Sequence, residues 1–248
     1  MTDDRPSPGQ TVRTRTFAAV DWDGADLTDV VFEDCAFVDP RFDNAGLGGV
    51  RFANCRLTRA SFTHADLREA AFDTCNFADP GTQKGARFAF ARLDEARFAN
   101  VDLTHARFDS ADLYAATFRD CNLLGAGFAR ARFHRAFGRT VIRTTVAFVD
   151  CNLSLADLSG VVLAGCDLSR SRLRETDLSG ADLQGATLTG ADLFQAVVDG
   201  AKFAKADLRG AEVSGLDIRR LASYRDLKIT ADQQWRLLDA MGLDVRAD

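Results

Sequence analysis

The side chains in this 248-residue sequence that could carry covalent or metal chemistry are few: Cys35, Cys55, Cys75, Cys121, Cys151 and Cys166, together with His64, His105 and His134. A nucleophilic thiol needs a base held beside it, and a zinc site needs four ligands, usually in closely spaced pairs. No CxxC or CxxH spacing occurs and the histidines are scattered, so neither a metal set nor a triad is specified. The stretch GAGFAR at 125–130 lacks the third glycine of a dinucleotide-binding turn. What the cysteines share is a position. Cys35, Cys55 and Cys75 are spaced by twenty, and all six stand two residues before a Phe or Leu. They are core thiols on this reading. No catalytic residue, metal or cofactor is expected, and the chain is not expected to be an enzyme.

The elements that hold such thiols follow a period of five. From Phe17 to Phe77, from Phe88 to Phe133 and from Phe148 to Ile218, every fifth residue is large and apolar; of 38 such centres 16 are Phe and 18 Leu. The residue two places earlier is nearly always Ala, Cys or Val. A step of five scatters residues around a helix, whereas in extended chain residues two apart share a face. The small and the large residue therefore point inward together, the one between them points out, and the other two turn a corner. Two residues past the centre stand Asp29, Asp34, Asn44 and Asn54, then Gly160, Gly165, Gly180 and Gly185 among others, types that tolerate positive φ. Short strands and tight corners repeated in this way wind into a tube filled by its own side chains.

This pattern, as in Ala181-Asp182-Leu183-Gln184-Gly185, resembles the A(D/N)LXX unit of the pentapeptide-repeat proteins. The resemblance implies an all-β fold, a right-handed quadrilateral β-helix with one coil per twenty residues. Residues 15–218 form this body, with projecting loops at 78–87 and 134–147. Residues 1–14 are expected to be a flexible N-terminal segment, and 219–248 a C-terminal cap and dimerisation helix. At ~4.8 Å per coil the rod is on the order of 45 Å long.

The first loop, ADPGTQKGAR, adds six residues to one step, and the second removes ten residues from the tube while keeping its frame. Loops on a rigid scaffold commonly carry recognition, so Asp79, Thr82, Gln83, Lys84, Arg135, Phe137, Arg139 and Arg143 are candidate partner contacts. In the tail, Thr230 and Gln233 match a capping box and Gly242 suits a helix end. Trp235, Leu238 and Met241, with Leu243 beyond, form an apolar stripe suited to a two-fold contact; the alternative is a cap folded on the last coil.

The net charge of −5 argues against a general nucleic-acid binder. Residues 15–77 and 147–218 each hold 11 acids and 6 bases, residues 86–133 hold 6 and 7, and 134–146 hold three Arg with no acid. Asp157, Asp177, Asp182, Asp192 and Asp217 are the candidate acidic surface. A simpler role for such Asp residues is to bond the corner backbone. The succession of coils, loop, coils, longer loop, coils and apolar helix, with DPGTQKGARF and LDIRR, resembles the Qnr group and its MfpA-like relatives. That resemblance implies a dimeric rod that imitates DNA, binds DNA gyrase or topoisomerase IV, and protects the enzyme from quinolones or other topoisomerase poisons. The alternative is a structural or scaffolding repeat protein with no topoisomerase contact. With no signal-like leader and no long apolar run, a cytoplasmic protein without membrane attachment is expected.

Overall fold

The computed structural model describes residues 5–18, 20–79, 81–82, 84–137, 141–244 and 246. The backbone winds into a four-sided parallel β-solenoid. Each side is a ladder of outward residues in register, and on face 1 the ladder runs Asp21, Arg41, Ser61, Arg87, Arg107, Gly127, Asp157, Asp177, Val197, one residue from each of nine successive coils. Face 2 begins Asp26, Gly46, Asp66, Arg92, Asp112, Arg132 and continues Val162, Asp182, Lys202, Ser223. Face 3 has the most regular strands, a seven-stranded parallel sheet from Thr11–Arg13 to Ala147–Val149. Face 4 begins with three strands, Thr16–Ala18, Ala36–Val38 and Arg56–Thr58, and continues through Asn76 to Asp192 and Glu212.

The inward residues fill the lumen as the five-residue step requires. Two aromatic ladders run along it. Phe32, Phe52, Phe72, Phe98, Phe118 and Phe148 stack at ring-centroid distances of 4.7–5.2 Å. Phe42, Phe62, Phe88, Phe108 and Phe128 stack at 4.8–5.0 Å. The ladders meet edge to face, as between Phe88 and Phe98 at 6.1 Å, the arrangement the ring quadrupole favours. Past Phe148 the same positions are mostly Leu, and the tube continues without a break in burial.

The regular corners among the described residues place their second residue in the left-handed region, whatever its type: Asn44, Glu69, Thr74, Phe90, Ala115 and Leu155 have φ between 52° and 60°. In the C-terminal coils glycine takes most of these positions, as at Gly160 and Gly180. A side chain in this conformation costs ~1–2 kcal/mol, partly offset in glycine by its freer unfolded chain. Ala115→Gly (φ 59°) is therefore expected to raise stability by about 0.5–1 kcal/mol, read as a higher denaturant midpoint.

Five of the six cysteines, all but Cys166, stand at the corners between faces 3 and 4. Elsewhere the centre's carbonyl accepts the N–H three residues on, as Phe42 does from Ala45 at 3.2 Å. At these corners the centre's carbonyl instead accepts a thiol one coil further along: Cys55 Sγ to Phe32 O (3.4 Å), Cys75 to Phe52 (3.3 Å), Cys121 to Phe98 (3.5 Å) and Cys151 to Phe118 (3.4 Å). Ser171 Oγ does the same for Phe148 at 2.8 Å. Cys75→Ala removes such a donor from a buried acceptor and is expected to cost about 1 kcal/mol in equilibrium unfolding, whereas Cys75→Ser retains it and is expected to cost less.

Two limits differ from the expected 15–218. Thr11–Arg13 pairs with Val31–Glu33, so the first coil begins inside the segment expected to be flexible; Val12 is one further five-residue step below Phe17 and is half-buried. At the other end, the 3-10 turn Ile218–Arg220 inserts one residue, and pairing resumes with Ser223 against Lys202 and Lys228 against Asp207. The step from Ile218 to Tyr224 is six, which hides the last partial coil from a count of five.

Candidate partner-binding surface

The first loop leaves the corner between faces 4 and 1 and folds over face 4. Asp79 and Thr82 line a cleft of about 410 Å³ with Arg56, Asn76, Asp102 and Thr104 opposite. Asp79 ties the loop together: its Oδ1 accepts the Gly81 N–H at 3.0 Å and its Oδ2 the Thr82 hydroxyl at 2.9 Å, with Arg59 at 3.6 Å. The Gly81 and Thr82 hydrogen bonds hold its carboxyl below the usual carboxylate range. Asp79 is thus committed within the loop, while Lys84 is exposed. Gln83 lies outside the described residues.

The second loop is a β-hairpin, where the sequence led only to a projecting loop. His134–Phe137 pairs antiparallel with Val141–Thr144, with Arg135 opposite Arg143 and Phe137 opposite Val141. Its base is fastened to the rod by Arg135, whose guanidinium lies over the Tyr114 ring at 4.6 Å and forms an ion pair with Asp94. Asp94 is 7% exposed and sits at the corner between faces 2 and 3. The charge on Arg135 is thereby directed at the rod. Arg139 lies outside the described residues.

The five candidate acidic residues do not share one surface. Asp157 and Asp177 are adjacent on face 1, and Asp217 follows Val197 at the same step; Asp182 is on face 2 and Asp192 on face 4. Three of the five have cationic partners: Asp182 with Lys202 (3.7 Å), Asp192 with Arg174 (3.6 Å) and Asp217 with Arg219 (2.8 Å). The Arg219 hydrogen bond lowers the Asp217 carboxyl to about 2. All five accept the backbone N–H two residues on, Asp157 from Ser159 at 3.0 Å and Asp177 from Ser179 at 2.8 Å, which is the corner-bonding role expected of such Asp residues. Neither Asp157 nor Asp177 has an ion-pair partner among the described residues.

The helix α1 (Gln234–Ala240) closes the C-terminal end. Its anchors are two residues the apolar stripe did not single out: Leu237, 5% exposed, and Gln233, 1% exposed. Gln233 Nε2 donates to the carbonyls of Leu208 and Ala211, both at 2.7 Å, while its Oε1 accepts the Thr230 N–H at 2.7 Å. The capping-box spacing pointed to Gln233, but only as a helix cap. Arg236 pairs with Glu212 at 2.7 Å. Gly242, at φ 79°, ends the helix, with Leu243 N–H bonded to Leu238 O. With Leu237 turned inward, Trp235 and Leu243 remain about half exposed and Leu238 and Met241 half-buried, beside exposed Tyr224 and Ile229.

Family models match most of the chain: "Pentapeptide repeats (8 copies)" at residues 84–120, 151–190 and 188–220, and "Pentapeptide repeat region" at 25–80. No curated protein sequence matches. Among solved structures, a trypsin-treated variant of QnrB1, a plasmid-mediated fluoroquinolone resistance protein, is 25% identical with a TM-score of 0.67, covering 96% of this chain and 99% of that one. Full-length QnrB1 is 26% identical with a TM-score of 0.62, covering 94% and 100%. HetL of the cyanobacterium Nostoc sp. strain PCC 7120, involved in heterocyst differentiation regulation, is 22% identical with a TM-score of 0.51 over 89% and 85%, a likeness of fold alone.

Proposed function

We propose, from the premise that this chain belongs to the pentapeptide-repeat family, that it is a binding protein for a type II topoisomerase, DNA gyrase or topoisomerase IV, and protects that enzyme from fluoroquinolones or related poisons. The observation that carries this reading is the end-to-end match with QnrB1, which spans nearly the whole of both chains. The filled lumen supports action by surface contact rather than by catalysis.

In this mechanism the stiff rod presents carboxylates where the enzyme grips DNA. Asp157 and Asp177 are the strongest of the five for that role, because among the described residues neither has an ion-pair partner. The hairpin and the first loop then reach protein walls around the drug-bound enzyme, and protection follows from loosening that complex. The exposed Trp235 and Leu243 stripe joins two rods end to end, and such a dimer acts in the cytoplasm, where the topoisomerase is.

The test is a supercoiling assay with gyrase, and a decatenation assay with topoisomerase IV, each held at an inhibitory fluoroquinolone concentration. Purified chain is expected to restore product and reduce drug-stabilised cleaved DNA. No effect on either enzyme at any protein concentration would reject the reading in favour of a scaffolding role.

A further inference from the structure

Beyond Asp21 the face 1 ladder carries its arginines on the N-terminal side of Gly127 and its aspartates on the C-terminal side, and that arrangement has a symmetry. Reading outward from Gly127 in both directions gives Arg107 against Asp157, Arg87 against Asp177, Ser61 against Val197, and Arg41 against Asp217. Apart from Asp21, which has no counterpart, each charged position is matched, at equal height on the other side, by its opposite. Arg87 and Arg107 are exposed and directly stacked, and neither has an ion-pair partner among the described residues. Like charges in register on adjacent strands repel. The guanidinium of Arg107 lies flat over Gly127, so that a Cβ there would fall within 2.2 Å of Nη1.

We propose that face 1 binds face 1 of a second copy of this chain, antiparallel, about a two-fold axis lying across the face at Gly127. The rotation brings Arg107 to the partner copy's Asp157 position and Arg87 to its Asp177 position, twice over by symmetry. It also keeps each edge of the face with the same edge of the other copy. Along the edge shared with face 2, the bulky corner residues of the N-terminal coils then meet glycines of the C-terminal coils. Phe90, 52% exposed and stacked on His64 at 4.9 Å, meets the position of Gly180, and His64 meets that of Gly200. Arg130 lies beside the axis and bonds Ser110 Oγ through its Nε at 3.4 Å; its approach to the partner copy's Arg130 position is like-charged and weakens the pairing. The first loop packs against face 4 and, at Gly85, against His105 at the corner face 4 shares with face 1, whereas the hairpin starts at the corner between faces 2 and 3.

The pairing is independent of the topoisomerase reading and uses a different surface from the helix at the rod's end. It is held by exposed ion pairs, so it is weak and strongly weakened by salt. It also covers Asp157 and Asp177, so a paired rod has these two carboxylates occupied.

The six native thiols are buried, so a cysteine placed at Arg130 beside the axis is the one exposed thiol. Arg130→Cys in the full chain is expected to form an intermolecular disulfide under mild oxidation at low ionic strength, with yield falling at least tenfold at 1 M salt. In an end-to-end dimer joined through the helix the same two residues are roughly 40 Å apart at ~4.8 Å per coil, so that contact gives no bond. In this background Arg87→Asp with Arg107→Asp, or Asp157→Arg with Asp177→Arg, is expected to cut the yield at least tenfold. An equimolar mixture of the two charge-reversed proteins is expected to restore it, which also verifies that both are folded. No disulfide in the parent, undiminished yield in either reversal, or no recovery in the mixture would each overturn the proposal.

Discussion

Phe98→Ala is expected to destabilise the rod by about 3–5 kcal/mol, a large part of the stability of an ordinary domain. Phe98 is stacked between Phe72 at 4.9 Å and Phe118 at 4.7 Å and meets Phe88 edge to face at 6.1 Å, so truncation opens a void that a tube of fixed width cannot close. Phe98→Leu is expected to cost less than about 1.5 kcal/mol, because Leu fills the equivalent centre at Leu168 in the same tube. Urea unfolding followed by circular dichroism measures both. Equal losses for Ala and Leu would mean that ring stacking, not lumen volume, sets stability.

Deleting Arg135–Thr144 is expected to leave the rod folded and abolish protection of the topoisomerase. The ten residues removed are two whole five-residue steps, so Phe133, His134, Thr145, Val146, Ala147 and Phe148 re-form one ordinary repeat, with Val146 and Phe148 already buried in the small and large positions. Thermal unfolding within a few degrees of the parent verifies the fold, and the fluoroquinolone supercoiling assay reads the loss. Asp94→Ala keeps the hairpin but removes the partner of Arg135, and an intermediate loss is expected if its orientation matters. Full protection by the deletion variant would remove the hairpin from the mechanism.

The lumen was legible in the sequence because two backbone rules, inward alternation and a corner, leave few places for a large side chain. Phe17 to Ile218 follow from that step alone, and the twenty-residue spacing of Cys35, Cys55 and Cys75 reappears as one stacked column. Val12 was missed because the series was started at the first Phe, and Ser223 because a single inserted residue at the 3-10 turn shifts the count. At the C-terminus an apolar stripe is visible in the sequence, but which side of the helix is buried is decided by Gln233 and its two carbonyl partners on another coil. The acidic surface was the least legible. Composition counts carboxylates per segment, whereas the four-sided winding distributes Asp157, Asp182 and Asp192 over three faces and places Arg174, Lys202 and Arg219 beside their neighbours.

Each stacked ring in the lumen touches only the coil before it and the coil after it. A molecule assembled this way is a graduated ruler. Inserting or excising twenty residues in frame would lengthen or shorten its reach by one ~4.8 Å division and leave every other graduation where it was.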